Sequence, residues 1–339
     1  MRIASFPRFQ LVAEVTPLQR AARLEAALGS GSPRIYIKRD DLTGLAYGGN
    51  KARKLEYLVA DAIAQNATVL VTEGAVQSNH ARMTAAAAVL AGLKSYLILD
   101  ARNGQEEQGN LLLDRLMGAE CGICSTIEER IEARTAVPEM LRARGERPYF
   151  IPTGGSNALG SLGYIRAARE LDAQLTEIGE DPSSVYFPSG SQGTLAGMVV
   201  GARVFGSVWN PVGVAVSGDS RGMLDGATTL IEQTLALIES DLRITVEDNI
   251  VDGNFAGEAY GIPTEVGLEA RHLPGADRSD LPRSGLQSAA MSALIAHVRA
   301  GWFSSTNRSS SSIGAARPRF PSIATCRLPE LRWGSGRAS

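Results

Sequence analysis

Three cysteines in 339 residues are too few for a disulfide framework, which sets aside the small secreted scaffolds that depend on one. Cys121 and Cys124 form a lone C-x-x-C with no second pair, whereas a zinc site needs about four ligands. His80, His272 and His297, the only histidines, are too scattered for a ligand set, so no metal is expected. A redox dithiol would need the pair at a helix start after a strand, and nothing around "GAECGICST" supplies that support. Neither sign of charge dominates. The formal charge of −2 gives no electrostatic case for nucleic acid or an anionic membrane as a partner. Long apolar runs are missing too: none approaches the roughly 18 residues of a membrane span. The opening "MRIASFPRFQ" lacks the apolar stretch of a signal peptide, so the cytoplasm is the expected location.

What is present is an ordinary soluble composition, 44% apolar and 21% charged, over a length that suggests about two domains. Short apolar runs alternate with amphipathic segments. "PRIYIKRDD" (33–41) is strand-like, and "NKARKLEYLVADAIAQ" (50–65) places Leu55, Leu58, Val59 and Ile63 on one helical face. "ATVLVTEG" (67–74) reads as a buried strand, "NHARMTAAAAVLAGL" (79–93) as an alanine-rich helix, "KSYLILD" (94–100) as a strand and "NLLLDRLMGA" (110–119) as a helix. "RPYFIPTGG" (147–155), "SSVYFPSGS" (183–191) and "NPVGVAVSG" (210–218) continue the series. Strands that alternate with helices predict an α/β architecture with largely parallel sheets. Ligands of such sheets sit at the carboxyl ends of the strands.

Four turns at those ends share one chemistry. "GGNK" (48–51), "QSNH" (77–80), "TGGSN" (153–157) and "SGSQGTLAG" (189–197) combine glycine with hydroxyl or amide side chains. In the last, glycines let backbone N–H groups approach an oxyanion, Ser189, Ser191 and Thr194 add hydroxyls, and a helix N-terminus follows. That describes a phosphate cradle without a Walker lysine; a plain turn is the alternative. In "GGNKARKLEYL" a lysine stands directly behind two glycines and an asparagine. Such a lysine is ordinarily a solvated cation, yet the glycines clear the space before it, as though something large must reach its amine.

The stretches "KRDDLTGLAYGGNKARKLEYL", "EGAVQSNHARMTAAAA", "IPTGGSNALGSLGY" and "GEAYGIPTEVGLEA" resemble the D-cysteine desulfhydrase and 1-aminocyclopropane-1-carboxylate deaminase family. These are pyridoxal-phosphate enzymes of fold type II, the tryptophan-synthase-β-like class, and L-cysteate sulfo-lyase belongs to the same group. The likeness runs from about residue 5 to residue 270 with the motifs in order.

The resemblance implies a role for each matching position. Lys51 is the Schiff-base lysine, whose lowered amine pKa would also let it move a proton at the substrate Cα. Lys54 either reaches the cofactor phosphate or belongs to a solvated face. Gly190, Ser191, Gln192, Gly193 and Thr194 form the phosphate cradle. Asn79 bonds the cofactor's 3′-oxygen, caps a helix, or does both. Ser78 sits beside the substrate, where it binds the carboxylate or assists proton transfer, and Gln77 shapes the same pocket. His80 supports that substrate site rather than acting as the base. Tyr260 matches a tyrosine near the substrate, with a buried core tyrosine as the alternative.

Departures begin after Ala270. "RHLPGADRSDLPRSGLQS" (271–288) keeps the family's length without its residues, while "AAMSALIAHVRAG" (289–301) matches again. Residues 303–339 are rich in Ser, Arg and Pro where the family ends in a buried strand and a histidine-threonine-glycine-glycine turn beside the pyridine nitrogen. Lost identity at kept spacing looks like reading-frame shifts, with drift as the alternative. By the resemblance, a large cofactor domain would comprise 1–47 and 165–339, aberrant at 271–288 and 303–339, with a smaller α/β domain at 48–164. QSNH and "TGGSNALGSLGY" favour β-elimination, from D-cysteine to pyruvate, ammonia and sulfide. L-cysteate sulfo-lyase is the first alternative and the cyclopropane deaminase the second. A cofactor-binding protein without turnover is the reading from another class. A homodimer or higher homo-oligomer is expected.

Overall fold

The protein is described from a computed structural model, which covers residues 3–101, 106–216, 220–245, 251–256, 264–273 and 285–303. Tyr260, most of 271–288 and nearly all of 303–339 lie outside the described residues.

The chain opens with a two-stranded antiparallel ribbon, β1 (Leu18–Arg20) and β2 (Tyr36–Lys38), joined through α1 (Ala22–Leu28). A helix–strand series follows: α2 (Lys51–Ala64), β3 (Val69–Ala75), α3 (Asn79–Leu90), β4 (Lys94–Asp100), α4 (Gly109–Leu116), β5 (Glu120–Cys124), α5 (Ile127–Ala143) and β6 (Pro148–Ile151). Its strands form one parallel sheet in the order β5-β4-β3-β6. A long α6 (Ala158–Ile178) leads to β7 (Ser184–Ser189), α7 (Gly193–Phe205), β8 (Asn210–Ala215), α8 (Ser220–Leu237) and β9 (Val251–Asp252). These strands make a second parallel sheet, β7-β8-β9. α9 (Glu265–Arg271) and α10 (Gly285–Arg299) come last among the described elements.

The expected α/β architecture with parallel sheets is therefore observed. Strand β3 is buried along six of its seven residues, as befits a strand covered by helices on both faces. Leu55, Leu58, Val59 and Ala62 of α2 pack with Leu70, Met83 and Ile151 in one core cluster. A second cluster gathers Leu195, Val199 and Val200 of α7 with Leu224, Ile231 and Leu235 of α8. Ile63, placed on the same helical face by sequence, is 43% exposed and marks where the apolar stripe of α2 ends.

The C-x-x-C lies on β5, an element the sequence did not announce. Side chains three apart on a strand point to opposite faces. Cys121 accordingly packs with Leu97 and Leu99, and Cys124 with Val71 and Ile98 across the sheet. Both are free thiols, and this placement excludes a disulfide between them.

A buried ionic cluster pins α2 to α6. Arg53 donates to Asp40 at 2.7 Å and to Glu170 at 2.8 Å, and Lys38 reaches Glu170 at 2.5 Å. Burial would raise the Glu170 pKa, but the hydrogen bonds and charges of Arg53 and Lys38 outweigh it and hold the group at about 2. This brace fixes the start of α2, where the two lysines of "GGNKARK" stand. Among the described residues, no helix is long and apolar enough to cross a membrane, and no group of three or more His, Cys, Asp or Glu could hold a metal.

Candidate active site

The approach to Lys51 is a strained turn. Ala46, Tyr47, Gly48 and Gly49 all have positive φ, at 42°, 67°, 74° and 134°. Only glycine enters such a run without steric cost. A Cβ on Gly48 would stand 1.9 Å from the Asp41 carbonyl oxygen. The glycines are thus demanded by the turn's own packing, whatever further use the cleared space has. Thr43 closes the turn, accepting from Gly49 N at 2.9 Å and donating to Gly49 O at 3.0 Å.

Lys51 opens α2, and its Nζ donates to Asn50 Oδ1 at 3.1 Å. Burial lowers its pKa to about 8, so an appreciable fraction of the amine is neutral near physiological pH. The amide nitrogen of Asn50 points the other way, to Thr194 Oγ1 at 3.4 Å. One side chain therefore connects Lys51 to the turn at the head of α7.

Lys54, one turn along α2, is only 1% exposed, which rules out the solvated face. Its Nζ donates to the Gly154 carbonyl at 3.1 Å and to Ser156 Oγ at 3.1 Å. Ser156 also accepts from Gly193 N at 3.2 Å and donates to Ser191 Oγ at 2.8 Å. Ser189 Oγ, nearby in sequence, is buried and has no hydrogen-bond partner among the described residues. Gln192 adopts φ 59° and turns its amide back to the Gly190 carbonyl at 2.6 Å. A Cβ on Gly193 would stand 2.6 Å from Ser156 Oγ and 2.9 Å from Lys54 Nζ.

These residues fit an anion. A buried ammonium is costly unless a negative charge accompanies it. Among the described residues Lys54 has only neutral oxygen partners, and burial together with the charge of Lys51 drives its pKa well below the usual lysine value. Around it are a backbone N–H at a helix start, two serine hydroxyls and a glycine whose missing side chain lets Ser156 and Lys54 come this close. That donor set suits a phosphate dianion. Ser156 and Asn50 were not singled out by sequence, although each sits in a turn recognised as rich in glycine and polar side chains.

The QSNH turn lies at the head of α3. Ser78, not Asn79, is the helix cap: Ser78 Oγ accepts from Ala81 N at 3.2 Å. Asn79 Oδ1 instead accepts from Arg82 Nη1 at 3.0 Å and Asn110 Nδ2 at 3.1 Å. Gln77 is exposed and engages the start of α4, donating to Gln108 O at 3.0 Å and accepting from Asn110 N at 2.9 Å. His80 is buried, with Nε2 2.8 Å from Thr72 Oγ1, whose hydroxyl donates to the Ile151 carbonyl. Burial first, then the charges of Lys51 and Lys54, depress the His80 pKa well below its ordinary value. It is therefore neutral and faces the same electrostatic environment as both lysines. Tyr260 belongs to the undescribed residues.

The arrangement can bind an anion between α2 and the α7 turn while holding a partly neutral amine beside it. The comparisons with known proteins agree with that chemistry. A model of the family "Pyridoxal-phosphate dependent enzyme" matches residues 10–273. The chain is 40% identical over 301 residues to a D-cysteine desulfhydrase of Serratia proteamaculans (strain 568), covering 87% of this chain and 89% of the relative. It is also 40% identical over 261 residues to a putative 1-aminocyclopropane-1-carboxylate deaminase of Pyrococcus abyssi (strain GE5 / Orsay), covering 76% and 77%. Among solved structures, an ACC deaminase homologue superposes with a TM-score of 0.78 at 36% identity, covering 88% of this chain and 89% of that one.

Proposed function

The chain belongs to the pyridoxal-phosphate dependent enzyme family, with the fold type II α/β arrangement, and from that premise we propose that it eliminates a β-sulfur group from a three-carbon amino acid. D-cysteine is the first substrate: with water it yields pyruvate, ammonia and hydrogen sulfide. L-cysteate, releasing sulfite, comes second. The relatives named D-cysteine desulfhydrase, 40% identical over most of the chain, support this order.

The observation that carries the reading is the Lys51–Asn50–Thr194 connection, which sets a lysine amine of pKa about 8 beside an anion cradle centred on Lys54. Pyridoxal phosphate, when bound, supplies an electron-withdrawing ring that accepts the charge left at the substrate Cα. Lys54, Ser156, Ser191, the Gly193 N–H and Thr194 would hold its phosphate. Asn79 would bond its 3′-oxygen, and Lys51 would hold it covalently. Lys51, as a free amine once the substrate's own amine has taken its place, would take the α-proton, for which an amine near neutral pKa is suited. Expulsion of the β-sulfur follows from the charge at Cα and asks nothing further of these residues. Ser78, capping α3 with its Oγ, would orient the substrate carboxylate, and Gln77 and His80 would shape the floor and edge of that pocket. The reading further assigns a smaller lobe to 48–164, which contains the β5-β4-β3-β6 sheet, and places a homodimer or higher homo-oligomer in the cytoplasm, in keeping with free thiols.

A specific observation favours a second reading. The Pyrococcus abyssi relative, at the same identity, is named a putative cyclopropane deaminase. The deciding assay offers D-cysteine, L-cysteine, L-cysteate and 1-aminocyclopropane-1-carboxylate separately to the cofactor-loaded protein. Pyruvate with sulfide from D-cysteine is the expected result. Dominant 2-oxobutyrate from the cyclopropane substrate would replace elimination with ring opening. Bound cofactor with no product from any of the four would leave a binding protein.

A further inference from the structure

We infer that Arg82 and Asn110 are positioning residues that lock the Asn79 amide with its nitrogen outward, so that Asn79 can only donate, and its ligand atom is an acceptor oxygen that carries no proton towards it. The inference deepens the proposed function and rests on its placement of Asn79 at the cofactor.

An arginine guanidinium has five N–H donors and no acceptor, and a main-chain carbonyl only accepts. Arg82, 8% exposed, donates through Nη1 to Asn79 Oδ1 at 3.0 Å and to Asn110 Oδ1 at 2.7 Å. Asn110 Nδ2 donates to the Gln77 carbonyl at 2.7 Å and to Asn79 Oδ1 at 3.1 Å. Each asparagine is thereby fixed against a 180° flip, Asn110 from both ends. Turning over Asn79 would set its NH₂ against a guanidinium and a second amide NH₂, three donors facing with no acceptor. Asn79 Oδ1 is fully used, whereas its Nδ2 has no hydrogen bond among the described residues. The free end is a donor, polarised by the cation behind its oxygen. A neutral or anionic oxygen can accept from it; a ring N–H or a hydroxyl proton cannot be served.

Arg82 also ties this amide to the approach of Lys51. Its Nη2 donates to the Gly48 carbonyl at 3.2 Å, inside the positive-φ turn. One buried side chain thus sets the orientation of Asn79 and holds the strained loop that precedes the lysine. Arg82 itself touches neither substrate nor cofactor in this arrangement.

The test is a double-mutant cycle on the full chain, read by cofactor affinity and by the pH titration of the bound cofactor's visible absorbance. The apoprotein is titrated with pyridoxal phosphate, and a thermal melt of each variant confirms folding. N79A should weaken binding by about tenfold, the size of one charge-assisted hydrogen bond. R82L should weaken it comparably and move the absorbance titration, because the 3′-oxygen loses an oriented donor. The double variant N79A/R82L should bind more tightly than the two single penalties together predict, because the part of the R82L loss that runs through Asn79 is already gone, while the part from the Gly48 contact remains. R82K, still donor-only, should recover part of the loss. Should R82L fail to fold, N110L takes its place in the same cycle, with the same non-additivity expected. Additive penalties, or an R82L protein with unchanged affinity and absorbance, would overturn the inference while leaving the proposed function intact. An N79A protein with unchanged affinity would remove Asn79 from the cofactor and take this inference with it.

Discussion

Lys51 and Lys54 stand one helical turn apart on α2, the first half-buried and the second fully buried, and the charge of Lys51 adds to burial in depressing the pKa of Lys54. Two such neighbours divide their tasks by their partners. Lys51 meets a single side-chain amide, whereas Lys54 is held by a carbonyl and a hydroxyl at the cradle. On the proposed function the freer amine, with pKa about 8, is the nucleophile. Covalent capture of pyridoxal phosphate by the apoprotein should therefore speed up with pH and level off above pH 8, as followed by rapid-mixing absorbance. Borohydride should fix the adduct on Lys51. Peptide mapping that finds it on Lys54 or Lys38 instead would refute the assignment.

Lys54→Met separates binding from folding. The folded pKa of Lys54 lies below its unfolded value, so the folded state holds fewer protons there, and the charged form costs stability at every pH below the unfolded pKa. Removing it should raise the melting temperature of the apoprotein at pH 7, with the gain shrinking as the pH approaches 10. Affinity for pyridoxal phosphate should fall by at least about tenfold, or roughly 1.4 kcal/mol. A variant that melts lower and binds equally well would place the anion elsewhere.

Gly193→Ala tests the cradle's shape. The new methyl would sit 2.6 Å from Ser156 Oγ and 3.0 Å from its Cα, so the turn must move. Binding of pyridoxal phosphate should weaken by about tenfold or more. Pyridoxal, which lacks the phosphate, should bind the variant and the parent alike in equilibrium dialysis. An equal loss for both ligands would mean that the substitution distorts the whole site.

Periodicity and turn chemistry carried much of this into the sequence. β4 occupies the predicted 94–100, α2 begins within a residue of its expected start, and the Gly190–Thr194 turn heads a helix as anticipated. β5 escaped notice because five residues with a central glycine show no alternation. The burial of Lys54 was ambiguous for a different reason: its partners Gly154 and Ser156 are about a hundred residues away, and local patterning carries no information on such contacts. Asn50, Ser156 and Arg82 are ordinary polar residues until the fold brings their partners in. The cap at α3 is Ser78, the extended residue before the first turn, whereas Asn79 is already helical and its Oδ1 accepts from Arg82 and Asn110.

Asp114 gives the pH dependence of stability a definite sign. It lies on α4, fully buried, and neither carboxylate oxygen has a hydrogen-bond partner among the described residues. Burial raises its pKa to about 7, against a smaller opposing pull from the charge of Arg82, and the nearby Cys121 thiol is pushed up to about 11. The folded pKa thus exceeds the unfolded value of 3.8, and the native state keeps a proton that the unfolded chain releases. Stability is then lost as pH rises from about 4 and levels off above about 7. Asp114→Asn mimics the protonated form at every pH. It should leave stability nearly unchanged at pH 4 and raise it at pH 8 by no more than about 4 kcal/mol, since each pKa unit is worth ~1.4 kcal/mol. Urea midpoints of the apoprotein between pH 4 and 8 provide the measurement. The parent's midpoint should fall across the range relative to the variant's. Two parallel curves would mean that Asp114 titrates alike in the folded and unfolded states, the charge of Arg82 offsetting its burial.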